Sequence, residues 1–170
     1  GWLSPWISES HATPDLLAGA VWDRPFTEEH EREIRRMKAR IERERIPPGE
    51  DPEFHLKLGR GSLSDVEWTV QLLQLRTGVR SPSTIGAIDG LVAAGALTAE
   101  DATVLRDAYR YCECARNRWW LVGSAPPAAD ALPQRPADQS RLAASLGTTP
   151  RELREDYRRL TRRARRVVER

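Results

Sequence analysis

The chain is poor in the residues that cross-link proteins or carry side-chain chemistry: two cysteines, three histidines and one methionine in 170 residues. Cys112 and Cys114 lie two apart within a helical pattern, so they point to different helix faces and cannot readily bridge. No disulfide scaffold follows. His11, His30 and His55 are scattered and have no partners at zinc-like spacing, which argues against a metal centre. No apolar run approaches the roughly 20 residues of a membrane span, and there is no leader-like segment. A soluble, cytoplasmic protein is expected. No stretch alternates apolar and polar residues over a strand length, so an all-α fold is expected. Lysine is also scarce: Lys38 and Lys57 are the only two among 27 basic residues. With the abundant alanine, this points to a GC-rich coding genome of the actinobacterial type.

Apolar residues make up 39% and charged residues 31%, with a net charge of +2. That suits one domain with an appended arm. Residues 1–26, with Trp2, Trp6, Trp22 and Pro5, Pro14, Pro25, show no sustained period beyond a possible short helix near Leu16–Val21. They read as an irregular arm leading from a preceding domain. The opening Gly-Trp-Leu, without methionine, fits a segment excised from a longer polypeptide.

Residues 27–170 carry the helical signals. Thr27 with Glu28 and Glu29 opens a helix that Pro47-Pro48-Gly49 must stop, and its Ile34, Met37 and Ile41 form a narrow stripe among alternating Glu and Arg. A second helix opens near Ser62–Ser64 and is apolar on nearly every side, as a central helix would be. Ser81-Pro82 begins a short helix ended by Gly95. Thr98 and Asp101 form a capping box for the longest stripe, Leu105, Ala108, Cys112, Ala115, Trp119 and Val122. Residues 123–137, with four prolines, form a crossing loop. A short helix from Asp138 ends at Gly147. Thr149, Pro150 and Glu152 start a last helix striped by Leu153, Tyr157, Leu160, Ala164 and Val167. The sum is an antiparallel bundle of five or six helices with Val66, Val70, Leu73, Leu105, Ala108, Cys112, Trp119, Leu153, Tyr157 and Leu160 in one shared core.

The segment Leu56-Lys57-Leu58-Gly59-Arg60-Gly61-Ser62-Leu63-Ser64-Asp65-Val66-Glu67-Trp68 is unusual for a plain bundle. A lysine and a glycine-containing turn ahead of a helix N-terminus can leave backbone N–H groups free to meet an anion such as phosphate, with Lys57 and Arg60 adding charge. The alternative is structural: Gly59 and Gly61 make a turn, and Ser64 with Glu67 forms a capping box. The residues alone favour the structural alternative.

Lys57-Leu58-Gly59-x-Gly61-x-Leu63-x-Asp65-Val66-Glu67-Trp68-x-Val70-Gln71 resembles the Lys-Leu-Gly-x-Gly-Gly-hydrophobic-x-Asp-hydrophobic-Glu-aromatic-x-x-Gln pattern of glutamine synthetase adenylyltransferases. A shorter version occurs in PII uridylyltransferases. Similarity extends to Glu33–Arg40, Ala108-Tyr109, Arg116-Asn117, Leu132-Pro133, Asp156-Tyr157 and Thr161–Ala164. The resemblance implies a helical domain of the adenylyltransferase/PII-uridylyltransferase type, following a nucleotidyltransferase domain, in the C-terminal adenylylating half of a two-half enzyme. One half would transfer AMP from ATP, with Mg2+, to a tyrosine of glutamine synthetase. The other would remove it by phosphorolysis, under control of glutamine and the PII signalling protein. Lys57, Gly59, Arg60, Gly61 and Ser62 would lie near the nucleotide phosphates, supported by Asp65 and Glu67. Ser62 stands where the family usually has glycine, and would be strained if that position needs positive φ.

The chain holds no Asp-x-Asp strand motif, and Asp65 and Glu67 diverge by roughly 200° on a helix, poor geometry for a shared magnesium ion. It is therefore expected to hold no catalytic residue or metal ligand and to be inactive alone. Asp65 and Glu67 are expected to cap the helix and to hold Lys57 or Arg60. Two other readings stay open. One is a docking or regulatory module for glutamine synthetase or PII. The other, less favoured, is a nucleic-acid-binding domain using Arg158, Arg159, Arg162, Arg163, Arg165 and Arg166, whose patch is diluted by acids.

Overall fold

The computed structural model describes residues 22, 25–44, 46, 50–123 and 130–170. The expected helix at Leu16–Val21 and nearly all of the arm lie outside them. Six α-helices are described: α1 (Glu28–Glu44), α2 (Leu63–Thr77), α3 (Thr84–Ala93), α4 (Ala99–Val122), α5 (Pro136–Ser145) and α6 (Pro150–Val168), with a 3-10 turn at Pro52–Phe54. The one β contact among the described residues is a single bridge between His55 and Ala131. The fold is all-α.

The helix ends follow local chemistry. Thr27 and His30 cap α1 reciprocally, each backbone N–H donating to the other's side chain at 3.3 Å. Gly78, in the left-handed region at φ 73°, closes α2 by donating to the Gln74 carbonyl. Ser83, rather than Ser81, caps α3 by accepting from the Gly86 N–H. Thr98 accepts from the Asp101 N–H, but the Asp101 carboxylate turns to Arg170. At α6 the full capping box forms between Thr149 and Glu152. α5 begins at Pro136, two residues earlier than expected, because proline's fixed φ and missing N–H suit a first turn. α2 begins at Leu63 behind Ser62. Ser64 therefore sits inside the first turn and forms no capping box with Glu67.

α4 packs against α6, α5, α2 and α3, and α2 also meets α3 and α6. Asp101, at the start of α4, bonds Arg170 beyond the end of α6, while Tyr111 farther along donates to the Leu153 carbonyl near its beginning. The two helices therefore run antiparallel.

The expected single core is two. Phe54, Leu56, Leu63, Cys112, Trp119, Leu142, Leu153 and Tyr157 form one cluster. Val66, Val70, Ile88, Leu91, Leu105, Ala108, Leu160 and Ala164 form the other. Leu73 is only half-buried at the edge of the second. Tyr109 and Tyr111 touch both clusters. At 24 residues, α4 is about 36 Å long at 1.5 Å per residue, more than one small core can cover.

Candidate functional site

The segment from His55 to Glu67 is a tight turn between the 3-10 turn and α2, clamped by α6 and by the 130–132 segment. The buried His55 ring organises its start: Nδ1 accepts from the Lys57 N–H at 3.2 Å and the Leu58 N–H at 3.0 Å. Nε2 therefore carries the proton and lies 3.2 Å from Glu50 Oε2. Burial lowers the His55 pKa and raises that of Glu50, with help from nearby Asp130. The Lys57 N–H also approaches the Asp130 carbonyl at 3.3 Å, and the Leu132 N–H donates to the Phe54 carbonyl at 2.9 Å.

The two glycines are required by contact with α6. A Cβ on Gly59 would lie 2.4 Å from the His55 carbonyl oxygen and 2.6 Å from the Tyr157 hydroxyl, which itself donates to the His55 carbonyl at 3.1 Å. A Cβ on Gly61, at φ 77°, would lie 2.1 Å from the Thr161 carbonyl oxygen and 2.9 Å from the Arg165 nitrogen. Ser62 has φ −92°. The strain considered for it does not arise, and its hydroxyl donates to the Gly59 carbonyl at 2.5 Å.

Most of the amides expected to be free along the turn are engaged in hydrogen bonds within it. The N–H groups of Gly59, Ser62, Leu63 and Ser64 donate to the carbonyls of His55, Gly59, Leu56 and Lys57. Gly61 N–H donates to Asp65 Oδ2 at 2.5 Å, and those of Lys57 and Leu58 serve His55. What the turn offers a ligand is the Lys57 and Arg60 side chains, both exposed.

Asp65 is buried, and the cation it holds is Lys38 of α1, at 2.5 Å, rather than the expected Lys57 or Arg60. Glu67 is half-buried, and the Tyr109 hydroxyl stands 3.5 Å from its Oε1. Burial raises the Glu67 pKa, while the Tyr109 contact and the positive charges of Lys57 and Arg116 work against the rise. Arg116 in turn holds Asp130 at 2.5 Å. Tyr109, Glu113 and Arg116 were missed as site neighbours, although their spacing of four and three places them on one face of α4 beside the core stripe.

Asp65 and Glu67 do not fit a magnesium site. Both Asp65 oxygens are engaged by Lys38 and Gly61, and no group of three His, Cys, Asp or Glu side chains among the described residues could hold a metal ion. The arginines of α6 are partly spent within the protein: Arg158 pairs with Glu53, Arg159 with Asp156 and Arg165 with Glu169. Arg154 and Arg158 also stack on the Phe54 ring. This weakens the nucleic-acid reading. Among the described residues no helix is long and apolar enough to cross a membrane.

An all-α domain with a glycine turn seated on its last helix is thus the class defined by the geometry. The family model for GlnD PII-uridylyltransferase matches residues 28–170. The bifunctional glutamine synthetase adenylyltransferase/adenylyl-removing enzyme of Streptomyces avermitilis is 47% identical over 146 residues, covering 81% of this chain and 14% of that protein. The enzymes of the same name from Nocardia farcinica and Mycolicibacterium smegmatis are 43% and 44% identical, covering 85% and 80% of this chain. The chain belongs to the glutamine synthetase adenylyltransferase family. It spans about 14–15% of the length of these relatives.

Proposed function

We propose that this chain is the helical accessory domain of an enzyme that transfers AMP from ATP to a tyrosine of glutamine synthetase, and that the Lys57 turn forms one wall of its nucleotide site. The carrying observation is that residues 28–170 match a PII-uridylyltransferase model while 81% of the same chain matches a glutamine synthetase adenylyltransferase. By their names, those enzymes act on different proteins and transfer different nucleotides. Nucleotidyl transfer is the chemistry they share.

On this reading the catalytic carboxylates and magnesium belong to the enzyme's own nucleotidyltransferase domain. This chain supplies positive charge from Lys57 and Arg60, held on a turn most of whose amides are internally bonded. Asp65 and Glu67 position that turn and the first turns of α2. Glutamine synthetase is the protein substrate. The PII protein acts as a regulatory partner, and the other half of the enzyme carries the phosphorolytic removal.

The test is Lys57→Ala in the full-length enzyme, assayed by transfer of labelled AMP to glutamine synthetase. A fall on the order of 10²-fold in rate with an unchanged circular dichroism spectrum is expected for loss of a charge that stabilises the transferring group. Near-normal transfer, or loss caused only by unfolding, would overturn the assignment.

A further inference from the structure

α1 is held differently from the other helices. None of its described residues is fully buried. Between it and the bundle lies a cavity of about 330 Å³, lined in part by Ile34, Lys38, Trp68, Leu72 and Leu73. Two ion pairs span that gap. Glu31 meets Arg76 in the last turn of α2, and Lys38 meets Asp65 in the first. The order 31 to 76 and 38 to 65 shows that α1 runs antiparallel along α2.

The second pair reaches the turn. Asp65 accepts from Lys38 Nζ with Oδ1 and from the Gly61 N–H with Oδ2, each at 2.5 Å. A carboxylate with a side chain only 7% exposed needs a countercharge, and charge-assisted bonds at such distances are directional. Its orientation is therefore set by Lys38, and the Gly61 amide follows. Gly61 lies next to Arg60 and four residues from Lys57. α1 thus touches the candidate nucleotide wall through one lysine, with little packing to compete with it.

We propose that Lys38 is a positioning residue for the Lys57 turn, acting through Asp65 and the Gly61 amide. This rests on the reading of the turn as a nucleotide wall. It adds that Lys38 of α1, 27 residues before Asp65 in the chain but one ion pair away in space, governs how that wall is presented.

The test is a double-mutant cycle in the full-length enzyme, using Lys38→Met, which keeps the stem and removes the ammonium, with Lys57→Ala. If Lys38 acts only through the turn, K38M lowers kcat by about 10-fold to 100-fold, as small misplacements of a catalytic group do. The double variant should then be no slower than K57A alone. Lys38→Arg, which keeps the charge, should restore most of the rate. In the 170-residue chain, K38M should speed hydrogen exchange at the Gly61 amide. A purely structural role would give additive losses in the cycle. Additive losses, an unaffected kcat in K38M, or an unchanged Gly61 amide would each overturn the positioning role. An unaffected K57A would instead overturn the nucleotide wall, and the Gly61 amide would still report on the Lys38 link.

Discussion

Gly61→Ala tests the seating of the turn on α6 most directly, because two independent penalties fall on one methyl group. At φ 77° an alanine pays for the left-handed region, about 1–2 kcal/mol. Its Cβ would also stand 2.1 Å from the Thr161 carbonyl oxygen and 2.9 Å from the Arg165 nitrogen. Both are backbone atoms of a helix, so no rotamer change relieves the clash. The turn and α6 must part, which disturbs Leu56, Leu63 and Tyr157 in the first core cluster. Overpacking of this kind adds about 1–3 kcal/mol. The sum is about 2–5 kcal/mol.

Gly78→Ala is the control. Its φ of 73° is nearly the same, but nothing lies within 4 Å of a Cβ there. It should cost only the conformational part, about 1–2 kcal/mol. Urea unfolding of both variants, followed by circular dichroism, compares them under one slope. With a slope of roughly 2 kcal/mol per molar, the midpoint should fall by about 1–2.5 M for G61A and by about 0.5–1 M for G78A. Equal shifts would mean that the turn does not rest on α6, and the packing explanation of Gly61 would be refuted.

His55 should make the fold acid-sensitive. Its folded pKa lies below the ordinary 6.5 because of burial, so the unfolded chain binds more protons as the pH drops below about 6.5, and stability present above that pH is lost. His55→Gln keeps an acceptor for the Lys57 and Leu58 amides but cannot titrate. Glu67 acts with the opposite sign in both proteins and cancels, whereas Glu50 lies 3.2 Å from the ring, so the difference reads His55 together with its contact to Glu50. The urea midpoint should fall more steeply between pH 7 and pH 5.5, roughly the histidine range, in the wild type; parallel curves would refute the effect. Cys112 is buried with its thiol pKa pushed up to about 12, whereas Cys114 is exposed. A thiol reagent at mildly alkaline pH should modify Cys114 quickly and Cys112 only on unfolding. Rapid modification of both would contradict the packing around Cys112.

The helices were legible because their signals are local. Gly95, Thr98 and the Thr149/Glu152 pair act within one turn of chain, and periodic stripes need only an apolar face. The pairing of faces was not legible. Cys112 and Leu105 occupy equivalent stripe positions on α4, yet they serve different clusters, because the helix outruns a single core. The contact of Ala131 with His55 was equally hidden. One β bridge leaves no alternating pattern, and it is what brings Asp130 beside Lys57 and Arg116.

The turn shows why residue type alone could not separate a ligand cradle from a packing contact. Both require a missing Cβ and a backbone at close quarters, so Gly59 and Gly61 satisfy either reading. The difference lies in where the amide hydrogens go, and that depends on how the turn closes on its own flanks: the His55 ring, the Asp65 carboxylate, and the Leu56 and Lys57 carbonyls. Once those acceptors are in place, the glycines answer to Tyr157 and Thr161 of α6. Ser62, at φ −92°, departs from the family pattern without strain, and its hydroxyl adds a bond inside the turn. Lys57 and Arg60 are left pointing to solvent from a rigid base. Rigidity is what a charge needs if it is to meet a phosphate in one defined place. The same packing that removes most of the backbone from the candidate site therefore strengthens the case for its side chains.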